Sequence, residues 1–186
     1  SGIGSSAASA AGAVFGINEL LGKPFTAHEL IAFAMEGEAL ASGSAHADNV
    51  APVLMGGITL VRSINPIDVI QLPTPKELTA VILHPKIELK TMHAREIIKK
   101  NVTMEKAIQQ WGNLGAFVSA LFNEDYGLMS RSLKDEIIEP VRSLLIPEFD
   151  SLKKASISAG ALGFGISGSG PSVYALTKGM KTAQKV

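Results

Sequence analysis

The sequence has no cysteine. That excludes disulfides, thiolate metal sites and a cysteine nucleophile, and it fits a reducing compartment such as the cytosol. Aromatic residues make up only 5%, so the core is expected to be aliphatic and rich in Ala and Gly. Neither sign of charge is in excess, because 17 Lys and Arg balance 17 Asp and Glu among 186 residues. A dedicated nucleic-acid binder would carry a basic surplus to neutralise phosphates, and none is present. No stretch of the roughly 18 residues needed to cross a bilayer is free of polar groups, so no membrane span is expected. What the chain does have is apolar content, 46% against 18% charged. That much apolar surface offsets the entropy of ordering and excludes intrinsic disorder. The length allows one domain or two small ones.

Small and apolar residues from Ser5 to Leu21 predict a helix, ended by Gly22-Lys23-Pro24. Thr26 and Glu29 form a capping-box pattern opening a second helix, Ala27 to Leu40. Ala41 to Pro52 reads as an irregular polar loop, with Ser42, Ser44, His46, Asp48 and Asn49. Three short apolar runs predict strands at Gly57–Arg62, Asp68–Leu72 and Leu78–Leu83. Helices are expected over Thr91–Lys100, Met104–Phe122, Tyr126–Ile138 and Pro147–Ser158. Ile108, Trp111, Leu114, Phe117, Val118 and Leu121 form the apolar face of the second of these, with Trp111 assigned to the core or a subunit contact. Two strands, Gly163–Ser167 and Ser172–Thr177, flank the glycine loop Gly168-Ser169-Gly170-Pro171. Met180–Val186 shows no obvious final element. Mixed helices and strands with these spacings predict an α+β fold.

The most informative local feature is Gly2-Ile3-Gly4-Ser5-Ser6-Ala7 leading into a helix. Glycines let the backbone approach an anion, and free N–H groups at a helix start point at it. Three readings compete. A Walker A loop needs a Gly-Lys-Ser/Thr, and the loop has no lysine. The letters match a dinucleotide fingerprint, but no strand precedes them and Glu19 lies within the helix. The third is an ordinary Gly/Ala-rich helix start capped by serine.

The loop has company. Gly2-Ile3-Gly4-Ser5-Ser6-Ala7-Ala8 resembles the phosphate-binding motif of the GHMP kinases, and Gly165-Ile166-Ser167-Gly168-Ser169-Gly170-Pro171-Ser172 resembles a second glycine loop of that superfamily. Gly37-Glu38-Ala39, His46-Ala47-Asp48-Asn49-Val50-Ala51-Pro52, Gly56-Gly57 and Ile138-Glu139-Pro140-Val141-Arg142 with Leu145-Ile146-Pro147 resemble the branch of the family that acts on L-homoserine. The resemblance covers nearly the whole chain, with the motifs in family order.

It implies a cytosolic ATP-dependent phosphotransferase of threonine biosynthesis that forms O-phospho-L-homoserine, with Mg²⁺ and often as a homodimer. Its implied architecture is part of a ribosomal S5-like domain over residues 1–70, followed by a ferredoxin-like domain over residues 71–186. Earlier family motifs would lie upstream of Ser1, so the chain is expected to be a fragment, with little turnover by itself. Another GHMP kinase, such as a mevalonate-type enzyme, and an inert piece that only folds or dimerises are the alternatives.

The resemblance also assigns residues. Gly2, Ile3, Gly4, Ser5, Ser6 and Ala7 would bind the nucleotide phosphates. Ser6 and Glu38 would hold the metal, a hydroxyl and one hard carboxylate suiting a cation that keeps several waters. His46, Asp48, Thr91, Arg95, Arg142 and Gly168 would line the homoserine pocket, with arginine suiting the substrate carboxylate. Asn49 stands near the place where other members use an aspartate as base, and an asparagine cannot take a proton. The implied mechanism is therefore positioning and charge stabilisation. The cluster at His46, Asp48 and Asn49 also reads as an Asx-rich loop capping its own backbone. His93 is not part of the pattern carried over, and neither are His28 and His84, which are read as structural.

Overall fold

The computed structural model describes residues 2–43, 45–87, 97–98 and 101–186, with the backbone alone at 41–42. The helix expected over Thr91–Lys100, and with it Thr91 and Arg95, lies outside the described residues apart from a turn at 97–98. The chain divides into two compact units, Gly4–Thr74 and Pro75–Val186 with Ser1–Ile3. The architecture is α+β in both.

The first unit holds α1 (Ser5–Leu20), α2 (Ala27–Ser42), α3 (Ala47–Met55) and the hairpin β1 (Ile58–Ile64) and β2 (Ile67–Leu72). Its core is built from small residues, as the scarcity of aromatics predicts. Ala7 and Ala11 of α1 meet Ile31, Ala34 and Met35 of α2, Ala47, Val50 and Ala51 of α3, and Val69 of β2. Helices packed through alanines and a glycine come close. A Cβ added at Gly37 would stand 3.2 Å from the Ala10 Cβ. The opposite face of α1 is exposed at Phe15, Ile17, Leu20 and Leu21, so only part of its apolar pattern belongs to this core.

Two local devices set the ends of α1 and α2. Thr26 accepts the Glu29 N–H, and Glu29 accepts the Thr26 N–H at 2.8 Å, which is the expected capping box. These hydrogen bonds to Thr26 hold the Glu29 carboxyl below its ordinary value. Asn18 was not expected to matter. It is buried, and its side chain donates to the Phe25 carbonyl at 3.0 Å and accepts the Phe25 N–H at 3.1 Å. One amide thereby satisfies both backbone groups of the residue that leads into α2.

The polar stretch Ala41–Pro52 departs from its reading as a loop. From Ala47 onward it is α3, with Pro52 inside the helix. Val50 and Ala51 carry no exposed surface, and burial of that face against α1 and α2 outweighs the turn preference of Asp48 and Asn49.

The second unit contains β3 (Leu78–Leu83), α4 (Met104–Asn123), α5 (Tyr126–Ser132), α6 (Glu139–Arg142), a 3₁₀ turn (Ser143–Leu145), α7 (Phe149–Ser158), β4 (Gly163–Ile166), β5 (Val173–Lys178) and α8 (Met180–Ala183). Its described sheet runs β3-β5-β4, antiparallel throughout, with β5 in the middle. A strand, a helical stretch and then a hairpin whose second strand returns beside the first is the order of a split β-α-β unit, as in ferredoxin-like folds. Val173 and Ala175 of β5 face Phe164, Phe149 and Ile146, and the Phe149 and Phe164 rings meet edge to face at 5.3 Å. On the other face Tyr174 covers Gly165, whose missing side chain makes room for the ring. Burial, and after it the carboxylates of Glu139 and Asp135, push the Tyr174 hydroxyl above its ordinary 10.0.

Three boundaries are corrected. α5 ends at Ser132, because Asp135 accepts the N–H groups of Ile137 and Ile138 and holds a turn there. α7 begins at Phe149 rather than Pro147, and the tail forms α8 against β5. The expected apolar face of α4 is only partly core. Leu121 is buried with Ala107 and Ala120, whereas Ile108, Trp111 and Leu114 are exposed, so Trp111 is not a core residue. Among the described residues no helix is long and apolar enough to cross a membrane.

Two predictions follow from the α1–α2 turn. Asn18→Ala should lower stability by about 1–2 kcal/mol, since it removes both hydrogen bonds between the buried Asn18 amide and the Phe25 backbone; urea unfolding of the purified chain measures it. Glu29→Gln should lower the thermal midpoint at neutral pH. The folded carboxyl is depressed, so its stabilisation is present above the unfolded value of 4.5 and is lost as pH falls through the folded one. The gap between the two proteins should therefore close in acid.

Candidate functional site

In the unit Gly4–Thr74, α1 begins at Gly4, whose φ of 68° lies in the left-handed region, and no side chain caps this helix start. The N–H groups of a first helical turn have no partner within the helix. Here they follow a glycine, which adds no side chain of its own, and uncapped N–H groups after a glycine are the local chemistry of an anion cradle. Asn49, in the first turn of α3, packs its side chain against Gly4. A Cβ on that glycine would lie 3.3 Å from the Asn49 Oδ1.

Glu38 is 2% exposed and lies one turn inside α2, rather than at its end as the sequence suggested. The Ser6 hydroxyl donates to its Oε1 at 3.1 Å, and the His46 Nδ1 lies 3.1 Å from the same oxygen. Three elements converge on this atom: the start of α1, the middle of α2 and the residue capping α3. Ser6 reaches it because Ala10, one turn along α1, abuts Gly37. A carboxylate removed from water requires such compensation. Ser6 and Glu38, expected as a pair, are thus brought together, and His46 joins them. Asp48 is exposed in the first turn of α3, beside Asn49 in sequence but not part of the Glu38 cluster. Among the described residues no three His, Asp or Glu side chains gather as a metal site.

In the other unit, Gly2 lies against the second glycine loop. The Ser167 hydroxyl donates to the Gly2 carbonyl at 2.6 Å. A Cβ at Gly2 would stand 2.7 Å from the Ser167 carbonyl oxygen and 2.9 Å from that of Gly170, and its φ is 67°. No other residue fits there. Arg142, at the end of α6, donates from Nη1 to the Gly168 carbonyl at 3.0 Å, so the two expected substrate residues of this unit that lie among the described residues meet each other. A cavity of about 300 Å³ opens nearby, lined among others by Phe117, Asp135, Glu139, Phe164, Gly168 and Tyr174. It touches the glycine loop only through Gly168. Ser167 was missed as a site residue; its position at the foot of a Gly-Ser-Gly loop was the available signal.

Models of the GHMP kinases N terminal domain and of the GHMP kinases C terminal region match residues 1–57 and 105–186. The chain belongs to the GHMP kinase family. Among its relatives, the homoserine kinase of Chlorobaculum tepidum is 51% identical over all 186 residues, and that of Methanococcus vannielii is 38% identical over 179. The crystal structure of homoserine kinase from Cytophaga hutchinsonii matches with a TM-score of 0.97 at 54% identity, covering the whole chain and 59% of that protein. L. major mevalonate kinase, solved in complex with R-mevalonate, matches at a TM-score of 0.78 and 18% identity, covering 98% of this chain and 59% of that one; this likeness shows the GHMP fold alone. The chain spans 57% and 58% of the two curated relatives and all but a few of its own residues are matched by them.

In this GHMP kinase chain, Gly2→Ala should be destabilising by roughly 1–3 kcal/mol, because the new methyl meets two backbone oxygens in a left-handed conformation. Thermal unfolding measures it, and Gly12→Ala, where nothing lies within 4 Å of the added atom, is the control.

Proposed function

We propose that the protein to which this chain belongs transfers the γ-phosphate of ATP to the side-chain hydroxyl of L-homoserine, giving O-phospho-L-homoserine. The observation that carries this reading is the Ser6–Glu38–His46 cluster at the start of α1, in a chain 51% and 54% identical to named homoserine kinases.

Ser6 and Glu38 fit a Mg²⁺ ion bound with the nucleotide. One buried carboxylate and one hydroxyl are hard oxygen donors, and the absence of a larger donor cluster among the described residues suits a cation held mainly by phosphates and water. When bound, such an ion neutralises charge on the β- and γ-phosphates. The remaining work falls to the chain. The N–H groups that open α1 receive phosphate oxygens, and Gly4 adds no side chain of its own. His46 keeps the Glu38 carboxylate turned toward Ser6. Asn49, packed on Gly4, orients by hydrogen bonding and takes no proton, so rate enhancement comes from alignment and fixed dipoles. Asp48 is suited to an ammonium group, and in the other unit Arg142 is suited to a carboxylate.

The test is coupled ADP release from ATP, Mg²⁺ and L-homoserine by a chain extended to the length of its relatives, with mevalonate as the control alcohol. Turnover should require homoserine, and Glu38→Gln should lower kcat about a hundredfold or more, as loss of a charge-stabilising group does. Turnover on mevalonate alone would overturn the reading.

A further inference from the structure

The loop Gly168–Pro171 has little of its own to hold its shape. Gly168 and Gly170 both have positive φ, 57° and 78°, and glycines lose the most freedom on ordering. Inside the loop, Gly170 donates its N–H to the Ser167 carbonyl at 3.0 Å, and Ser167 donates its own to the Ser172 carbonyl at 2.8 Å. The two flanking serines are then fixed from outside. Ser167 is tied through its hydroxyl to Gly2. Ser172 is wholly buried, and its Oγ lies 2.8 Å from the His84 Nδ1. Leu83 pairs with Val173 in the last rung between β3 and β5, so His84 and Ser172 occupy the next rung, where a side-chain hydrogen bond continues the ladder.

We propose that His84, read from the sequence as structural, is a positioning residue for the Gly168–Pro171 loop, against which Gly2 of the expected nucleotide-binding stretch lies. Through Ser172 it anchors one foot of the Gly168–Pro171 loop, while Ser167 anchors the other foot against Gly2. This deepens the kinase reading above and rests on it. Backbone donors stabilise charge only when already in place as the phosphate arrives. Anchoring a glycine loop from both feet removes ordering cost from nucleotide binding.

The experiment uses a chain extended to the length of its relatives. It measures the Kd of a fluorescent ATP analogue, the KM for ATP and the thermal midpoint. His84→Ala should weaken nucleotide binding about tenfold, the loss of one well-placed hydrogen bond, with the midpoint unchanged. His84→Asn, whose amide can stand where Nδ1 stood, should restore most of the affinity. Combining His84→Ala with Ser172→Ala should cost no more than one of them alone. Unaltered nucleotide affinity in His84→Ala, or a loss with a lowered midpoint and no rescue by Asn, would overturn the proposal. Should His84→Ala fail to fold, Ser167→Ala must show the same loss of nucleotide affinity, or the proposal fails. Nucleotide affinity is read without an alcohol, so absent homoserine turnover with intact ATP binding strikes the substrate assignment and leaves this inference standing.

Discussion

A carboxylate removed from water has to be met by groups placed at it, and in this chain that carboxylate is Glu38. Desolvating an ionised side chain costs several kcal/mol unless hydrogen bonds compensate. The compensation comes from Ser6 on one helix and His46 at the start of another, both at the same oxygen. Side chains from three helices therefore meet at one polar atom beside a core of apolar residues. The close approach of Ala10 and Gly37 makes that geometry reachable, since a larger residue at either position would push α1 away from α2. The arrangement that packs these helices thus also places a hydroxyl beside a buried carboxylate.

The second unit works through backbone rather than through charge. Its glycine loop is defined by where carbonyls and N–H groups go. Ser167, Arg142 and Ser172 each address one of them or a neighbour. Gly2 fits against that loop only because it has no side chain. The sheet supplies the rigid base. Central strand β5 is buried on one face, and the loop emerges at its start. A loop held by a sheet end on one side and by a helix-terminal arginine on the other keeps its shape with little packing of its own.

Much of this was legible in the residues, and the misses share a cause. The capping box at Thr26, the glycine-rich start of α1, the five strands among the described residues and the pairing of Ser6 with Glu38 were read in advance, the last through family resemblance. α3 was not, because His46, Asp48 and Asn49 favour turns locally, while burial of Val50 and Ala51 decides for helix. The face of α4 was drawn from periodicity alone, which marks Ile108, Trp111 and Leu121 alike, although only Leu121 is buried. Asn18 looked like an ordinary helical asparagine until its two hydrogen bonds to Phe25 were in view. Thr91 and Arg95 lie outside the described residues.

The sequence by itself determined what is short-ranged: caps, turns, positive-φ glycines, helix and strand periods and the composition of the core. These depend on neighbours within a few residues, where the chain's own covalent geometry limits the choices. Tertiary structure alone decided which of those local pieces meet. Ser6 reaches Glu38 across 32 residues, His84 reaches Ser172 across 88, and Ser167 reaches Gly2 across 165. No local preference encodes such contacts. They exist because burying apolar faces fixes where each backbone runs, and polar groups then bond whatever that packing brings within 3 Å or so.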